Sequence, residues 1–382
     1  MSSTVKRNIL LTPGPATTTD SVKWSQVVPD ICPREAEFGE IMEHISTELT
    51  CLVADPNHYQ TILFGGSGTA AVESMISSVP GNEAVVIVNN GAYGKRMCEI
   101  AAVYGIDYLE FKSSFDDAIH LADLERCIQS SGRKISHLAV VHHETTTGLL
   151  NNVKELGVLC KKYHIDMMVD AMSSFAAVPI DLKEMNISFL ASSSNKNLQG
   201  LPGVSFVIAE KSKLESLKDR KPRSYYLNLY AQYQYFAEHA QMRFTPPVQA
   251  LYALRQAIEE LKQEGVAKRY ERYMASWKTL ITGLKRLDLT YLVPEAHHSK
   301  LITSIHEPYT DFDFQAMHDF FYSKGIMIYP GKLEGLRTFR IANIGDITSK
   351  DIEYFLELLE DFLDRIEMNK RKVESNGISN KK

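Results

Sequence analysis

From residue 59 onward, short apolar runs alternate with longer amphipathic stretches. The runs are YQTILF (59–64), AVVIV (84–88), IDYLEF (106–111), ISHLAVV (135–141), IDMMV (165–169), ISFLA (187–191) and VSFVIA (204–209). Between them lie stretches with helical periodicity, such as CEIAAVY (98–104) and VKELGVLCKKY (153–163). Runs that are apolar on both faces, each followed by a helix, predict a mainly parallel sheet covered by helices. The fold class this implies is α/β.

The rhythm stops after residue 210. An aromatic stretch, SYYLNLYAQYQYF (224–236), reads as a loop that packs at an interface or in the core, and two helical segments follow, about 246–265 and 267–288. A smaller α+β unit comes next, with LITSI (301–305), a helix near 313–323, GIMIY (325–329), TFRI (338–341) and a last helix from 348 to about 365. The expected organisation is an N-terminal arm (1–30), a large domain (31–265), a small C-terminal domain (266–366) and a polar tail (367–382) whose composition predicts disorder.

Composition narrows the partners. The 382 residues are 44% hydrophobic and 23% charged, the balance of a globular protein with a large core. A net charge of −5 gives no bulk attraction to nucleic acid or to an anionic membrane, so any anionic ligand needs a local site. No stretch of about 20 apolar residues occurs, and the expected location is the cytoplasm. The five cysteines are scattered without a CxxC pair, which points to free thiols. HETTT (143–147) begins like a zinc-protease helix but lacks the second histidine, so no metal is expected.

Three segments can carry chemistry. FGGSGTAAVE (64–73) follows a strand and opens a helix, where free backbone N–H groups and the positive helix end can hold a phosphate. A Walker loop is excluded, because no GK[ST] closes the motif. GSGTAA (66–71) also fits a dinucleotide fingerprint, but the next strand ends in Asn89 and Asn90 instead of the required acid. That favours a lone phosphate, with a plain Gly-rich turn as the bland alternative.

The second segment is DMMVDAMSSF (166–175), where Asp170 ends an apolar strand; alone it would read as a cap or turn residue. The third is SSSNKNLQGLPG (192–203), which places Lys196 just past the following strand. In a parallel sheet both side chains emerge at the carboxyl edge, where such folds put their sites. A phosphate cup, a carboxylate and a lysine are what pyridoxal phosphate requires: an anchor, a partner for its ring nitrogen and an amine for a Schiff base. Lysine suits the role because it can lose its proton when desolvated. His142 and His143, at a strand end, read as residues satisfying local hydrogen bonds.

These residues carry a family resemblance. The motifs NILLTPGP (8–15), SGTAAVE (67–73), NGAYGKRM (90–97), HETTTGLLN (143–151), VDAMSSF (169–175), SSNKNLQG (193–200), RFTPP (243–247), IYPGK (328–332) and TFRIANIGD (338–346) resemble those of class V aminotransferases. These are fold-type I pyridoxal-phosphate enzymes, and within them the chain is most similar to the branch acting on 2-aminoethylphosphonate and pyruvate. The resemblance implies that Lys196 forms the Schiff base and that Asp170 pairs with the pyridine nitrogen. It gives Ser67, Gly68 and Thr69 to the cofactor phosphate, with Asn195 beside it. Tyr93 would stack on the ring, Met172 would pack on the opposite face, and Thr145 would lie near the ring hydroxyl.

The resemblance further implies a homodimer with shared sites, in which Arg243 and Thr245 reach the neighbouring cofactor's phosphate. Arg340 is implied to clamp the substrate's phosphonate or carboxylate, a task its planar fork suits; Pro13 and Gly14 are implied to lie near the substrate. The implied reaction is a two-stage transamination between 2-aminoethylphosphonate and pyruvate, giving phosphonoacetaldehyde and alanine, in either direction. VVPDICPREAEF (27–38) departs from the tryptophan-containing stretch of the phosphonate-degrading members, and Ala342 replaces a usual glycine. Alternatives are an alanine:glyoxylate or serine:pyruvate type transaminase and, more remotely, a non-catalytic cofactor-binding protein.

Overall fold

The computed structural model describes residues 5–331, 333 and 335–379, with side chains up to 366. Lys332 of the IYPGK motif lies outside the described residues, as do the last three of the expected tail. The chain opens with β1 (Ile9–Leu10), α1 (Asp20–Trp24), α2 (Ala36–Cys51), β2 (Tyr59–Gly65), α3 (Gly68–Ser78), β3 (Ala84–Asn89), α4 (Ala92–Val103), β4 (Tyr108–Lys112) and α5 (Leu121–Ser130). It continues with β5 (Ile135–Val141), β6 (His143–Glu144), β7 (Leu149–Leu150), α6 (Val153–Lys162), β8 (Asp166–Asp170), β9 (Ile187–Ser193), β10 (Val204–Glu210), α7 (Lys211–Glu215) and α8 (Leu229–His239). The last third comprises α9 (Val248–Glu264), α10 (Val266–Arg286), β11 (Ile302–His306), α11 (Phe314–Ser323), β12 (Ile326–Met327), β13 (Tyr329–Pro330), β14 (Thr338–Ala342) and α12 (Ser349–Ser379).

Seven strands form one sheet in the order β2-β10-β9-β8-β5-β3-β4. All its pairings are parallel except those of β10, which runs antiparallel to both β2 and β9. Successive side chains of the central strands enter different cores, because strand residues alternate faces. Val86, Val88, Leu138, Val140 and Val169 pack on one side with α2, α6 and α9. Val85, Ile87, Ala139, Val141 and Met168 pack on the other with α3 and α4. Both faces are therefore dry, which is why the runs lack polar alternation.

A three-stranded antiparallel sheet, β11-β14-β13, builds the smaller unit with α10, α11 and α12 around Trp277, Phe321, Phe339 and Phe355. Leu11 of the N-terminal arm is buried in this third core, and β1 pairs in parallel with β12. The arm then crosses to the large sheet, where Ala16 N–H donates to the Asn195 carbonyl at 3.0 Å and α1 lies on α9.

Three elements differ from the sequence reading. The aromatic stretch is largely helical: Leu229, Gln232, Tyr233 and Phe236 are its buried residues, a helical spacing masked by the tyrosines between them, and the Asn228 side chain caps the start. GIMIY is not one strand, since Ile326–Met327 pairs with the arm and Tyr329–Pro330 with β14. The last helix continues through 367–379, where the sequence includes the good helix formers Met, Lys, Arg and Glu.

Candidate active site

The carboxyl edge of the large sheet collects the ends of β2, β3, β8 and β9 around a cleft of about 350 Å³. Ser67, Gly68, Thr69, Tyr93, Asp170, Met172, Asn195 and Lys196 all line it. A larger cavity, about 650 Å³, opens at the opposite edge between Tyr59 and Glu210 and holds none of the candidate residues. Chemistry follows the smaller one.

The anchor loop follows β2. Gly66 takes φ +154°, a conformation open to glycine, and its N–H donates to the Gly203 carbonyl at 2.9 Å, so that α3 starts at Gly68 with its amino end facing the cleft. Gly68 has no room for a side chain: a Cβ there would lie 2.5 Å from Met172 Sδ. The thioether therefore packs directly on the anchor loop.

Asp170 ends β8 between β5 and β9 and is nearly inaccessible. Its Oδ1 accepts the Met172 N–H at 3.0 Å. Burial raises its pKa to about 6, against the pull of that hydrogen bond and of the Arg96 and Lys196 charges. A carboxylate so placed gains from a cationic nitrogen beside it. Lys196, just past β9, donates from Nζ to the Pro13 carbonyl at 2.6 Å. Gly14 passes so close that a Cβ would overlap Nζ, which brings both arm residues, Pro13 and Gly14, to the lysine. Asn195 accepts the Ser193 hydroxyl at 3.0 Å.

The wall beyond the lysine is built from α4 and the β6–β7 turn. Tyr93 lies in the first turn of α4, with the Arg96 guanidinium 4.8 Å from its ring centre and Arg96 Nη1 3.4 Å from Thr69 Oγ1. Thr145 is buried in the turn, its hydroxyl 3.3 Å from that of Ser173. Arg340, on β14, reaches this wall: Nη1 donates to the Thr145 carbonyl at 3.4 Å and Nε to the Pro330 carbonyl at 3.1 Å. Burial lowers its pKa, and the Tyr93 and Glu144 groups raise it.

Thr145, Arg340, Pro13 and Gly14 stand behind residues that line the cleft and do not line it themselves, and Arg243 and Thr245 do not line it either. Arg243 stacks by Tyr225 and Phe244 and donates to the Tyr225 carbonyl at 3.1 Å, while Thr245 is exposed. HETTT forms β6 and a turn, and His143 Nδ1 donates to the Ser173 carbonyl at 3.0 Å. Two residues of the site escaped sequence reasoning. Arg96 sits one turn beyond Tyr93 on the same helix face, a spacing that could have revealed it. Glu144, wholly buried, accepts N–H donors from Tyr93 and Gly94 across a gap of some fifty residues, which leaves no local signal.

Comparison with known proteins gives the lineage. The family model for aminotransferase class-V matches residues 24–336. The chain belongs to the class V aminotransferases. Among curated proteins it is 39% identical over 364 residues to a 2-aminoethylphosphonate–pyruvate transaminase of Bacteroides fragilis (strain YCH46), covering 94% of this chain and 99% of that one. The protein of the same description from Vibrio vulnificus (strain YJ016) is 38% identical over 357 residues, 92% and 96% of the two chains. Among solved structures, alanine–glyoxylate aminotransferase from Nostoc sp. superposes with a TM-score of 0.88 at 25% identity, over 95% of this class V chain and 97% of the other. Pyridoxamine-pyruvate aminotransferase from Mesorhizobium loti shares the fold, with a TM-score of 0.85 at 20% identity over 94% and 92%. Among the described residues no helix is long and apolar enough to cross a membrane.

Proposed function

We propose that this chain is a pyridoxal-phosphate-dependent transaminase that moves an amino group between 2-aminoethylphosphonate and pyruvate. The observation that carries the reading is the convergence of Lys196, Asp170 and the amino end of α3 on one cleft, in a chain 38–39% identical to transaminases described for this pair. The residues fit the cofactor. A helix amino end with the Ser67 and Thr69 hydroxyls suits a phosphate. A buried carboxylate suits a protonated ring nitrogen, while Tyr93 offers a flat aromatic face and Met172 an adaptable apolar thioether for a ring.

Bound there, pyridoxal phosphate supplies an aldehyde that takes up amines and a cationic ring that withdraws electrons. The protein's part is positioning and proton movement. Lys196 Nζ, steered by the Pro13 carbonyl, holds and moves the proton at the amino-bearing carbon of the donor. Asp170 keeps the ring nitrogen protonated, and a cation at that spot lowers the carboxylate's raised pKa in return. Asn195 steadies the phosphate end and Thr145 the ring hydroxyl. Arg340 binds the phosphonate or carboxylate with charge-assisted hydrogen bonds, and Pro13 and Gly14 close the substrate side.

The working unit on this reading is a homodimer, with Arg243 and Thr245 of each subunit serving the other's phosphate. Large exposed apolar side chains near them, Tyr225 and Tyr226, support a covered face. The second reading, an alanine–glyoxylate type enzyme, is favoured by the Nostoc superposition, since the same arginine can hold a carboxylate.

Product analysis decides between the two. Mixing the protein with cofactor, 2-aminoethylphosphonate and pyruvate is expected to yield alanine and phosphonoacetaldehyde. Strong activity with serine or glyoxylate and none with aminoethylphosphonate would overturn the proposal. Lys196→Ala is expected to abolish turnover and the visible absorbance of the loaded enzyme; a variant of normal activity would remove Lys196 from its role.

A further inference from the structure

Among the described residues, three charged side chains line the cleft: Arg96, Asp170 and Lys196. The proposed chemistry uses two of them. Asp170 is an acid and Lys196 is committed to amine and proton transfer, so within one subunit Arg96 is the permanent cation of the cleft. Burial raises the Asp170 pKa, and the Arg96 charge is among the pulls in the other direction, so its field reaches across the site.

Arginine presents five N–H donors in a planar fork. Here Nη1 lies 3.4 Å from Thr69 Oγ1, and the guanidinium carbon lies 4.8 Å from the centre of the Tyr93 ring. The ring contact holds the fork against the first turn of α4. Among the described residues no carboxylate pairs with it, which leaves its charge to act on an anion in the cleft. The contact with Thr69 has a direction. Arginine has no acceptor, so a hydroxyl bonded to it must accept, and its own proton remains to be donated elsewhere. Thr69 stands in the first turn of α3, whose backbone N–H groups also favour an anion.

We propose that Arg96 is a positioning residue for the cofactor phosphate: by donating to Thr69 it leaves that hydroxyl to donate to the phosphate, and it adds the permanent positive charge that a doubly charged phosphate favours. The inference rests on the reading of Ser67, Gly68 and Thr69 as the phosphate anchor. Nothing in it depends on which amino donor the enzyme takes.

The test uses the cofactor-free full chain and two ligands, pyridoxamine 5'-phosphate and pyridoxamine, which differ in the phosphate alone. Arg96→Met removes the charge and the donors and keeps an apolar stem. The dissociation constant of pyridoxamine 5'-phosphate is expected to rise at least about tenfold in calorimetric titration, while that of pyridoxamine changes less than about twofold. In a Thr69→Val background the same substitution is expected to cost less, because part of its effect passes through the hydroxyl; an equal cost in both backgrounds would overturn the coupling to Thr69. Arg96→Lys, which keeps a charge and donors, is expected to fall between the wild type and Arg96→Met. Equal weakening of both ligands would make Arg96 a support for the Tyr93 ring only and would overturn the proposal, as would an unchanged constant for the phosphate ester. Failure of the underlying reading looks different: the wild type itself would bind pyridoxamine as tightly as its phosphate.

Discussion

Asp170 shows how a single residue can serve function against stability. Its carboxyl is buried beneath the cleft with a pKa raised from 3.8 to about 6, so the folded chain favours the neutral form. A raised acid gives stability that is present below about pH 4 and lost as pH rises through about 6; two units amount to roughly 3 kcal/mol. Asp170→Asn removes that loss. The cofactor-free variant is expected to be more stable than the wild type at pH 7 by up to about 3 kcal/mol in urea unfolding, while turnover falls roughly 10²–10³-fold with the loss of the charge facing the ring. A variant less stable than the wild type at pH 7 would contradict the assignment. At this scale the sequence was most informative where a residue ended an apolar strand: Asp170 and the Lys196 turn could be placed at one edge because the strand direction was implied. Glu144 was hidden for the opposite reason, since its burial comes from closure of the turn at 144–148 over α4, which no short window contains.

Among the elements, α4 is the one whose seating controls the site. Gly94 lies against β3, where a Cβ would meet the Val88 carbonyl oxygen at 2.6 Å and the Asn89 Cα at 2.9 Å. Backbone cannot rotate away as a side chain can. Gly94→Ala is therefore expected to lift the first turn of α4, costing about 1–3 kcal/mol. It should weaken cofactor binding through Tyr93, measurable as a raised dissociation constant in absorbance titration; unchanged stability and binding would show the helix to be loosely seated. The central strands were legible because both faces of the large sheet are dry there, so each reads as a mostly apolar run. Helix α8 was not, because the half-buried Tyr230 and Tyr235 lie between its buried positions, and apolar rings there blur the contrast on which helical periodicity depends. The partner switch between β12 and β13 was equally invisible, being set by which chain segment lies alongside.

At the scale of the whole molecule, three histidines lie buried between the large sheet and the smaller unit. Burial lowers the pKa of His142 to about 3, of His143 to about 4 and of His298 to about 3, from an ordinary 6.5. A histidine kept neutral by the fold contributes stability that is present above about pH 6.5 and lost as pH falls towards its folded value, because the unfolded chain takes up the proton first. The three together outweigh the opposite slope of Asp170. The free energy of urea unfolding is expected to fall by several kcal/mol between pH 6.5 and 4.5, and His298→Gln should flatten that slope; a stability constant over this range would refute it. The two-unit organisation could be anticipated from the change of rhythm after residue 210, but the route of the arm could not, since Ile9 meets Ile326 across almost the full length of the chain. That pairing has a consequence for synthesis. The segment carrying the carbonyl that steers Lys196 is made well before its strand partner, Ile326–Met327. The large sheet can assemble during translation, whereas the cleft stays unfinished until Ile326–Met327 has been made.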